Sequence, residues 1–220
     1  GDSVTIAFSS APDYDAPGDT GTNNVYDFTA AISDGTNTGS TLTYVVTVTD
    51  LNDQTPVYSS SDTTPSVSEG TTAVETLTVT DTDSADVNAC TLSGTDFATF
   101  TCTVSGDSVA LAFSSGNVPD FENPGSDDSD NDYSVSLTIS DGTNTGSTIA
   151  YTISVVDAND QTPSYSAGGL TPSIAEGTTA VDSFTITDTD TGDNNACTLG
   201  GNDASDFTCS VSGDSVTIAF

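Results

Sequence analysis

The chain has 220 residues and carries 33 acidic side chains with no lysine, arginine or histidine, which gives a formal charge of −33 at pH 7. This charge repels nucleic acid and anionic membranes, so metal cations, salt or a basic partner must neutralise it. Without histidine or lysine only carboxylate pairs are left for acid–base work, and we expect no enzyme. No apolar run approaches the roughly 18 residues that span a membrane, so we expect no membrane insertion.

Residues 1–50 contain three runs in which apolar and polar residues alternate. Such alternation, with a period of two, is typical of strands that have one packed face and one wet face. The predicted inward residues are Val4, Ile6 and Phe8 in the first run, Tyr26, Phe28, Ala30 and Ile32 in the second, and Leu42, Tyr44, Val46 and Val48 in the third.

These elements return at a period of about 107 residues. The sequence SDGTNTGST occurs at 33–41 and 140–148, and GTTAVETLTVTDTD at 70–83 returns as GTTAVDSFTITDTD at 177–190. The octapeptide GDSVTIAF stands at both 1–8 and 213–220. We therefore predict part of a longer tandem array, with the second half of one module at 1–50, a complete module at 51–157 and the first half of the next at 158–220.

Each module shows about seven predicted strands per hundred residues, separated by turns rich in glycine, asparagine and aspartate. No window shows helical periodicity. The predicted fold is all-β, with tandem antiparallel Greek-key β-sandwich modules stacked end to end.

The four cysteines form two pairs with the same spacing. Cys90 and Cys102 are separated by the same interval as Cys197 and Cys209. Matched pairs indicate two local disulfides and an oxidising, extracellular setting. Four cysteines allow three connectivities, and reduced buried thiols are the other alternative.

Acidic residues recur in four motifs. The linker DLNDQTP at 50–56 returns as DANDQTP at 157–163, and the other motifs are SEG or AEG with Glu69 or Glu176, PDYD or PDFE, and DTD. Calcium takes six to eight oxygen ligands in flexible geometry, which carboxylates two residues apart at a strand end can supply. The alternative is an acidic surface that only keeps a fibre soluble. We favour that solvated interpretation for one loop, with Asp127, Asp128, Asp130 and Asp132.

Taken together and in this order, the motifs resemble tandem cadherin repeats, of the bacterial or giant-adhesin kind. In that family calcium ions lie between modules, held by the upstream glutamate and DxE pair, the linker, and the downstream DxD pair and late aspartate. For the first junction the resemblance implies the ligands Asp13, Asp15, Asp50, Asn52, Asp53, Asp81, Asp83 and Asp141. For the second junction it implies Glu69, Asp120, Glu122, Asp157, Asn159, Asp160, Asp188 and Asp190.

The chain departs from the family pattern at several positions. Asp15 stands where the family has glutamate, and Gln54 and Gln161 replace the second asparagine of the linker. The pattern DxDxGxN continues as DTDTGDN at 188–194 but as DTDSADV at 81–87.

The resemblance implies a calcium-rigidified structural repeat of an extracellular or cell-surface fibre or adhesin stalk, with modules of the chain itself as end-to-end partners. One alternative is an adhesive module that binds glycans or cells, although adhesion by exchange of a tryptophan-bearing strand is excluded because the chain has no tryptophan. Another is a glycoprotein fibril with O-linked glycans on outward threonines such as Thr76, Thr78 and Thr80.

Overall fold

The computed structural model describes residues 3–59, 62–84, 87–166, 170–192 and 194–220. Within these ranges the only helices are two short 3-10 turns, Phe97–Thr99 and Ala204–Asp206, and the regular structure is otherwise β-strand. Neither helix is long or apolar enough to cross a membrane. Parts of the two DxDxGxN continuations, at 85, 86 and 193, lie outside the described residues.

The described residues form fourteen strands, which fall into three groups along the chain. The N-terminal segment, residues 3–50, contains β1 (Val25–Ala30) and β2 (Leu42–Thr47). The central sandwich contains β3 (Val57–Tyr58), β4 (Ser66–Ser68), β5 (Ala73–Thr80), β6 (Ala89–Ser93), β7 (Phe100–Ser105), β8 (Ser108–Phe113), β9 (Asp132–Ser140) and β10 (Thr145–Val156). The C-terminal segment, residues 158–220, contains β11 (Ser164–Tyr165), β12 (Ala180–Thr187), β13 (Thr208–Ser212) and β14 (Ser215–Ala219).

The central sandwich consists of two four-stranded sheets. Their strand orders are β4-β10-β9-β6 and β3-β5-β8-β7, so the chain crosses repeatedly from one sheet to the other. Every pair is antiparallel except β4 with β10, which is parallel over three residue pairs. The predicted all-β sandwich fold is confirmed, and the parallel edge pair is a detail that alternation along single strands does not reveal.

The core lies between these two sheets and uses the residues that the alternation placed inward. Every second side chain is buried along β8 and β9, and along β10 from Tyr151 to Val155, which is the strand signature of one packed face. The buried set includes Leu77, Val109, Leu111, Phe113, Tyr133, Val135, Leu137, Ile139, Tyr151, Ile153 and Val155. Phe100, Phe113 and Tyr133 contact one another through their rings.

The same sequence pattern packs differently in the N-terminal segment. Residues 3–8 form no strand, so the prediction for Val4, Ile6 and Phe8 is wrong there, although their equivalents in β8 confirm the pattern. Phe28, Ile32 and Leu42 are also exposed. The reason is that β1 pairs with β2 alone, and the described part of the segment has no second sheet to cover their apolar face.

One disulfide connects the two sheets of the central sandwich, and another lies within the C-terminal segment. Cys90 of β6 is bonded to Cys102 of β7, which belongs to the other sheet, and Cys197 is bonded to Cys209 in the C-terminal segment. This is the local pairing that the matched spacing indicated. The first bond therefore holds β6 against the facing sheet, and the second holds residue 197 beside β13.

Replacing Cys90 and Cys102 together with serine is expected to lower the free energy of unfolding of the central sandwich by about 3 kcal/mol. The bond closes a loop with a sequence separation of 12, and a short loop of this size restricts the unfolded chain by roughly that amount. Chemical denaturation measures the change. Replacing Cys197 and Cys209 is the control, and it should leave the transition of the central sandwich in place.

Candidate metal centres at the two junctions

The first junction lies between the N-terminal segment and the central sandwich. Asp15 comes from the loop before β1, Asp50 from the linker after β2, and Asp83 from the loop after β5. One oxygen from each of the three carboxylates lies within 4.8 Å of the others. Three loops that are far apart in sequence therefore bring three negative charges to one point.

A second cluster at the first junction shares Asp83. It consists of Asp81, Asp83 and Asp141, again with oxygens within 4.8 Å. Asp83 is 8% exposed and Asp141 is 3% exposed, so both carboxylates are withdrawn from water. Asp83 thus stands between two adjoining acidic clusters.

The second junction lies between the central sandwich and the C-terminal segment and also has two clusters. Glu122, Asp157 and Asp190 form one, and Glu69, Glu122 and Asp160 form the other. Glu122 is common to both, as Asp83 is at the first junction. Glu69 and Asp190 are buried.

One cluster is built twice. Asp15, Asp50 and Asp83 stand 107 positions before Glu122, Asp157 and Asp190, so the two sets are equivalent in the repeat. Each set takes one acid from the PDxD/E loop, one from the linker and one from the DTD motif. The arrangement is therefore a property of the repeat, and an aspartate at position 15 meets the same partners as the glutamate at 122.

Backbone hydrogen bonds fix the acids of these clusters. The Gln54 amide nitrogen donates to Asp83 Oδ2 at 2.7 Å, and the Gln161 amide nitrogen donates to Asp190 Oδ2 at 2.8 Å. Because the backbone amides make these contacts, the replacement of the usual linker asparagine by glutamine leaves them intact. Each linker is in this way tied to the DTD loop that follows it in the chain.

The first aspartate of each linker is held by the residue that follows the DTD motif. Asp50 accepts a hydrogen bond from the Ser84 backbone amide, and Asp157 accepts bonds from the backbone amide and hydroxyl of Thr191. Hydrogen bonds from Ser84 hold the pKa of Asp50 below its usual range, and those from Thr191 do the same for Asp157. Both linker carboxylates are therefore kept ionised at neutral pH.

Glu69 links three segments at the second junction. Its Oε2 accepts a hydrogen bond from the Phe121 amide at 2.8 Å, and its Oε1 accepts one from the Ala158 amide at 2.7 Å. The side chain follows β4, while Phe121 lies in the PDFE loop and Ala158 in the linker. Glu69 consequently fixes the loop and the linker that carry Glu122 and Asp157.

Asn144 is a residue of the first junction that the motif reasoning missed. Its Nδ2 donates to Asn52 Oδ1 at 2.7 Å and to Asp141 Oδ2 at 3.2 Å, while its backbone amide donates to Asp141 Oδ1 at 2.6 Å. It therefore connects the linker to the late aspartate. The sequence contains a signal for this residue, because Asn144 lies in the repeated SDGTNTGST. The motif was interpreted only as a turn between strands.

Four predicted ligands lie outside these clusters. Asp13 Oδ1 accepts the amides of Asp15 and Ala16, and Asp120 Oδ1 accepts the amide of Asn123, so each caps its own turn. Asp53 accepts a hydrogen bond from the Gln54 side chain, and Asp188 Oδ1 accepts the Asp190 amide. Ligation stays a prediction for these four, for the carbonyls of Asn52 and Asn159, and for the ten acids of the clusters.

Several carboxylate oxygens in the clusters are buried without a hydrogen-bond partner. They are Asp50 Oδ1, Asp81 Oδ2, Asp83 Oδ1, Glu122 Oε1 and Oε2, Asp157 Oδ1 and Asp190 Oδ1. A buried charged oxygen without a partner is costly, and the sequence has no cationic side chain to supply one. All of these atoms are hard oxygen donors, the type that calcium prefers. The residues present therefore fit a calcium ion.

The acids of the PDxD/E loops show the effect of crowding. Desolvation, followed by the charges of Asp83 and Asp50, raises the pKa of Asp15. Desolvation, with the charges of Glu69, Asp157 and Asp190, likewise raises the pKa of Glu122. Both shifts indicate that the ionised carboxylate is unfavourable at these two positions unless a cation neutralises its charge.

These shifts predict opposite pH responses with and without calcium. A carboxyl group whose folded pKa is raised takes up protons on folding, so the chelated protein should gain stability as the pH falls from 7 through the raised values toward the ordinary 3.8 of Asp15 and 4.5 of Glu122. Over the same range protons compete with calcium, and the calcium-dependent increase in Tm should shrink. Thermal melts in chelator and in calcium between pH 7 and about 5 measure both slopes; parallel slopes would contradict the prediction.

Comparison with known proteins shows which class of fold this is. No protein family model matches the chain, and no curated protein matches it. Solved structures do match: PcdhgB3 EC1-4 has 22% identity and a TM-score of 0.57, covering 93% of this chain and 50% of that one. The protocadherin gammaB7 EC3-6 cis-dimer has 23% identity and a TM-score of 0.51, covering 89% and 49%.

The human CDH23 EC21-23 structure gives the same result, with 18% identity, a TM-score of 0.51, and coverage of 77% of this chain and 55% of that one. The chain thus spans about half the length of these structures. Their common feature is the extracellular cadherin domain, so the fold of this chain is cadherin-like.

Proposed function

We propose that this chain is a calcium-rigidified extracellular repeat, part of a long fibre or adhesin stalk of the bacterial or giant kind. The observation that carries the proposal is the cluster built twice, Asp15 with Asp50 and Asp83, and Glu122 with Asp157 and Asp190. Each copy draws its acids from both sides of a junction. The proposed modules are 1–50, 51–157 and 158–220, so each of these two equivalent clusters spans two of them.

The residues proposed to hold calcium are the ten acids of the four clusters. A bound calcium ion supplies the positive charge that the sequence lacks. Asp83 and Asp190 belong to the downstream module and Asp15 and Glu122 to the upstream one, while Asp50 and Asp157 lie in the linkers. Shared ligands couple the orientation of neighbouring modules to metal binding. Without the cation, crowded carboxylates push the modules apart and each junction becomes a hinge.

A structural role explains the repetition of the acidic clusters, which a catalytic role does not explain. The acidic pairs recur with the repeat, as expected when identical joints are needed along a fibre. The alternative of an adhesive surface is supported by the cadherin-like fold alone. For the glycoprotein alternative, Thr76, Thr78 and Thr80 do point outward from β5, and an intact mass equal to 22.1 kDa would exclude glycans on them.

Small-angle scattering of the 220-residue chain with millimolar calcium, and then with chelator, tests the proposal. With calcium we expect the distance distribution of an extended rod. With chelator we expect a smaller maximum distance and a broader distribution. Magnesium at the same concentration is the control, because its rigid octahedral preference suits a flexible carboxylate cluster less well. If the scattering curves with calcium and with chelator are the same, calcium does not rigidify the chain and the proposed mechanism is wrong.

A further inference from the structure

The PDFE loop is held by an asparagine that stands directly before β9. The Asn131 side chain donates from Nδ2 to the Phe121 carbonyl oxygen at 3.0 Å. The Phe121 amide donates in turn to Glu69 Oε2 at 2.8 Å, and Glu122 is the next residue. Both backbone polar groups of Phe121 are therefore fixed immediately before Glu122, which limits the positions that the Glu122 carboxylate can take.

The same contact is built at the first junction. Asn24 stands directly before β1 and donates from Nδ2 to the Tyr14 carbonyl oxygen at 2.9 Å, and Asp15 is the next residue. Asn24 is the repeat equivalent of Asn131. Between the loops GDTGTNN at 18–24 and GSDDSDN at 125–131, only the first glycine and the last asparagine are identical. The contact is therefore a property of the repeat, although the loop around it differs.

The other half of each carboxamide does not explain why asparagine stands there. Asn24 Oδ1 and Asn131 Oδ1 are both buried without a hydrogen-bond partner among the described residues, and Asn24 as a whole is 9% exposed. A buried polar atom without a partner costs free energy. An apolar side chain of the same size would avoid that cost. The contact that each asparagine does make, to the loop that carries the acid, is the feature that accounts for it.

We propose that Asn131 and Asn24 are positioning residues for the two metal centres, and that each holds its acidic loop so that Glu122 or Asp15 faces the linker and the DTD loop before a cation binds. This inference rests on the proposed calcium function. Neither asparagine is a ligand in it, because each acts through the acid that follows the carbonyl to which it donates.

Positioning is needed because the acids repel one another. Oxygens of Glu122, Asp157 and Asp190 lie within 4.8 Å of each other, and like charges at such distances repel. An unrestrained loop would turn its acid toward water when no cation is present, and calcium would then have to order the loop as it bound. A loop that Asn131 already holds removes part of that ordering cost from the binding free energy.

Replacing each asparagine with leucine tests the inference at one junction at a time. Leucine has nearly the same size but cannot donate to the loop carbonyl. Partners outside the first coordination shell typically contribute roughly 10–100-fold to metal affinity. N131L should therefore weaken calcium binding at the second junction by about tenfold or more and leave the first unchanged, and N24L should do the reverse. Equal losses at both junctions in either variant overturn the inference.

A calcium titration followed by NMR resolves the two junctions. The Gln54 amide, which donates to Asp83, reports the first junction, and the Gln161 amide, which donates to Asp190, reports the second. If N131L binds calcium at the second junction as wild type does, this inference alone is wrong. If neither amide of the wild-type protein responds to calcium, the proposed calcium function is wrong and the inference falls with it.

Combination with Glu122→Gln separates positioning from a general loss of structure. If Asn131 acts through Glu122, N131L should have little further effect on calcium affinity once the Glu122 charge is gone. Residues that act through a shared contact are non-additive in this way. Losses that add in the double variant overturn the inference.

Hydrogen exchange in chelator tests the positioning without calcium. N131L should speed exchange of the Phe121 amide by up to about tenfold, the size expected for losing one hydrogen bond that steadies the loop. The Val155 amide donates to the backbone carbonyl of Asn131 at 2.8 Å, a contact that leucine keeps, so its exchange should match wild type. Unchanged exchange at Phe121, or equal acceleration at Phe121 and Val155, overturns the inference.

Discussion

Replacing Glu122 with glutamine is expected to produce the largest loss of calcium binding of any single substitution at the second junction. Glu122 is the one acid that both clusters of this junction share, and both of its carboxylate oxygens are buried without a hydrogen-bond partner. Glutamine keeps the size of the side chain but removes a charge and leaves one donor oxygen. Losing an outer-shell partner of a metal site lowers metal affinity roughly 10–100-fold. Glu122 is proposed as a direct ligand, so the calcium affinity of this junction should fall by at least that factor.

The same substitution should have the opposite effect on the protein without calcium. Desolvation, and then the charges of Glu69, Asp157 and Asp190, raise the pKa of Glu122, so its ionised form is unfavourable when no cation is bound. Glu122→Gln should therefore melt at or above the wild-type Tm in chelator and below it in calcium. Calorimetric titration and paired melts measure both effects.

Asp128→Asn is the matched control for Glu122→Gln. It removes one charge from the same part of the chain, in an exposed loop whose acids lie outside the four clusters. Its calcium affinity should stay within about twofold of the wild-type affinity, because surface substitutions away from a site change free energies by about 0.5 kcal/mol or less. Equal losses of affinity in Glu122→Gln and Asp128→Asn would show that calcium responds only to net charge.

The motif spacing predicted which loops meet at each junction, but not which acid of each loop faces the others. Asp13 and Asp15 are two residues apart and were both predicted as ligands. In the structure Asp13 accepts backbone amides of its own turn, while Asp15 joins Asp50 and Asp83. Aspartate commonly binds the backbone two residues on. The choice between capping a turn and facing a neighbouring loop depends on backbone angles that a motif does not specify.

The strand pattern has a corresponding limit. Val4, Ile6 and Phe8 alternate as well as Val109, Leu111 and Phe113 do, yet only the second set forms a strand and is buried. Alternation describes which face of a strand can pack. Burial also requires neighbouring strands: in the central sandwich β8 pairs with β5 and β7, whereas residues 3–8 pair with no strand of the described N-terminal segment.

Replacing Ile139 with alanine is expected to lower the free energy of unfolding of the central sandwich by about 2–5 kcal/mol. Ile139 is 0% exposed, lies in the core and pairs with Cys90 across β6 and β9. The substitution removes buried methyl groups and leaves a cavity between two disulfide-linked sheets. At roughly 4 °C or more per kcal/mol for a domain of this size, Tm should fall by at least about 8 °C.

Ile32→Ala is the matched control, because Ile32 precedes the same SDGTNTGST sequence in the N-terminal segment and is 62% exposed. In dilute, monomeric protein its effect should stay within about 0.5 kcal/mol, as for other exposed positions. The two substitutions are chemically identical, so the difference isolates the contribution of the covering sheet. Losses of equal size would mean that Ile32 is buried in solution, and the packing described for the N-terminal segment would then be wrong.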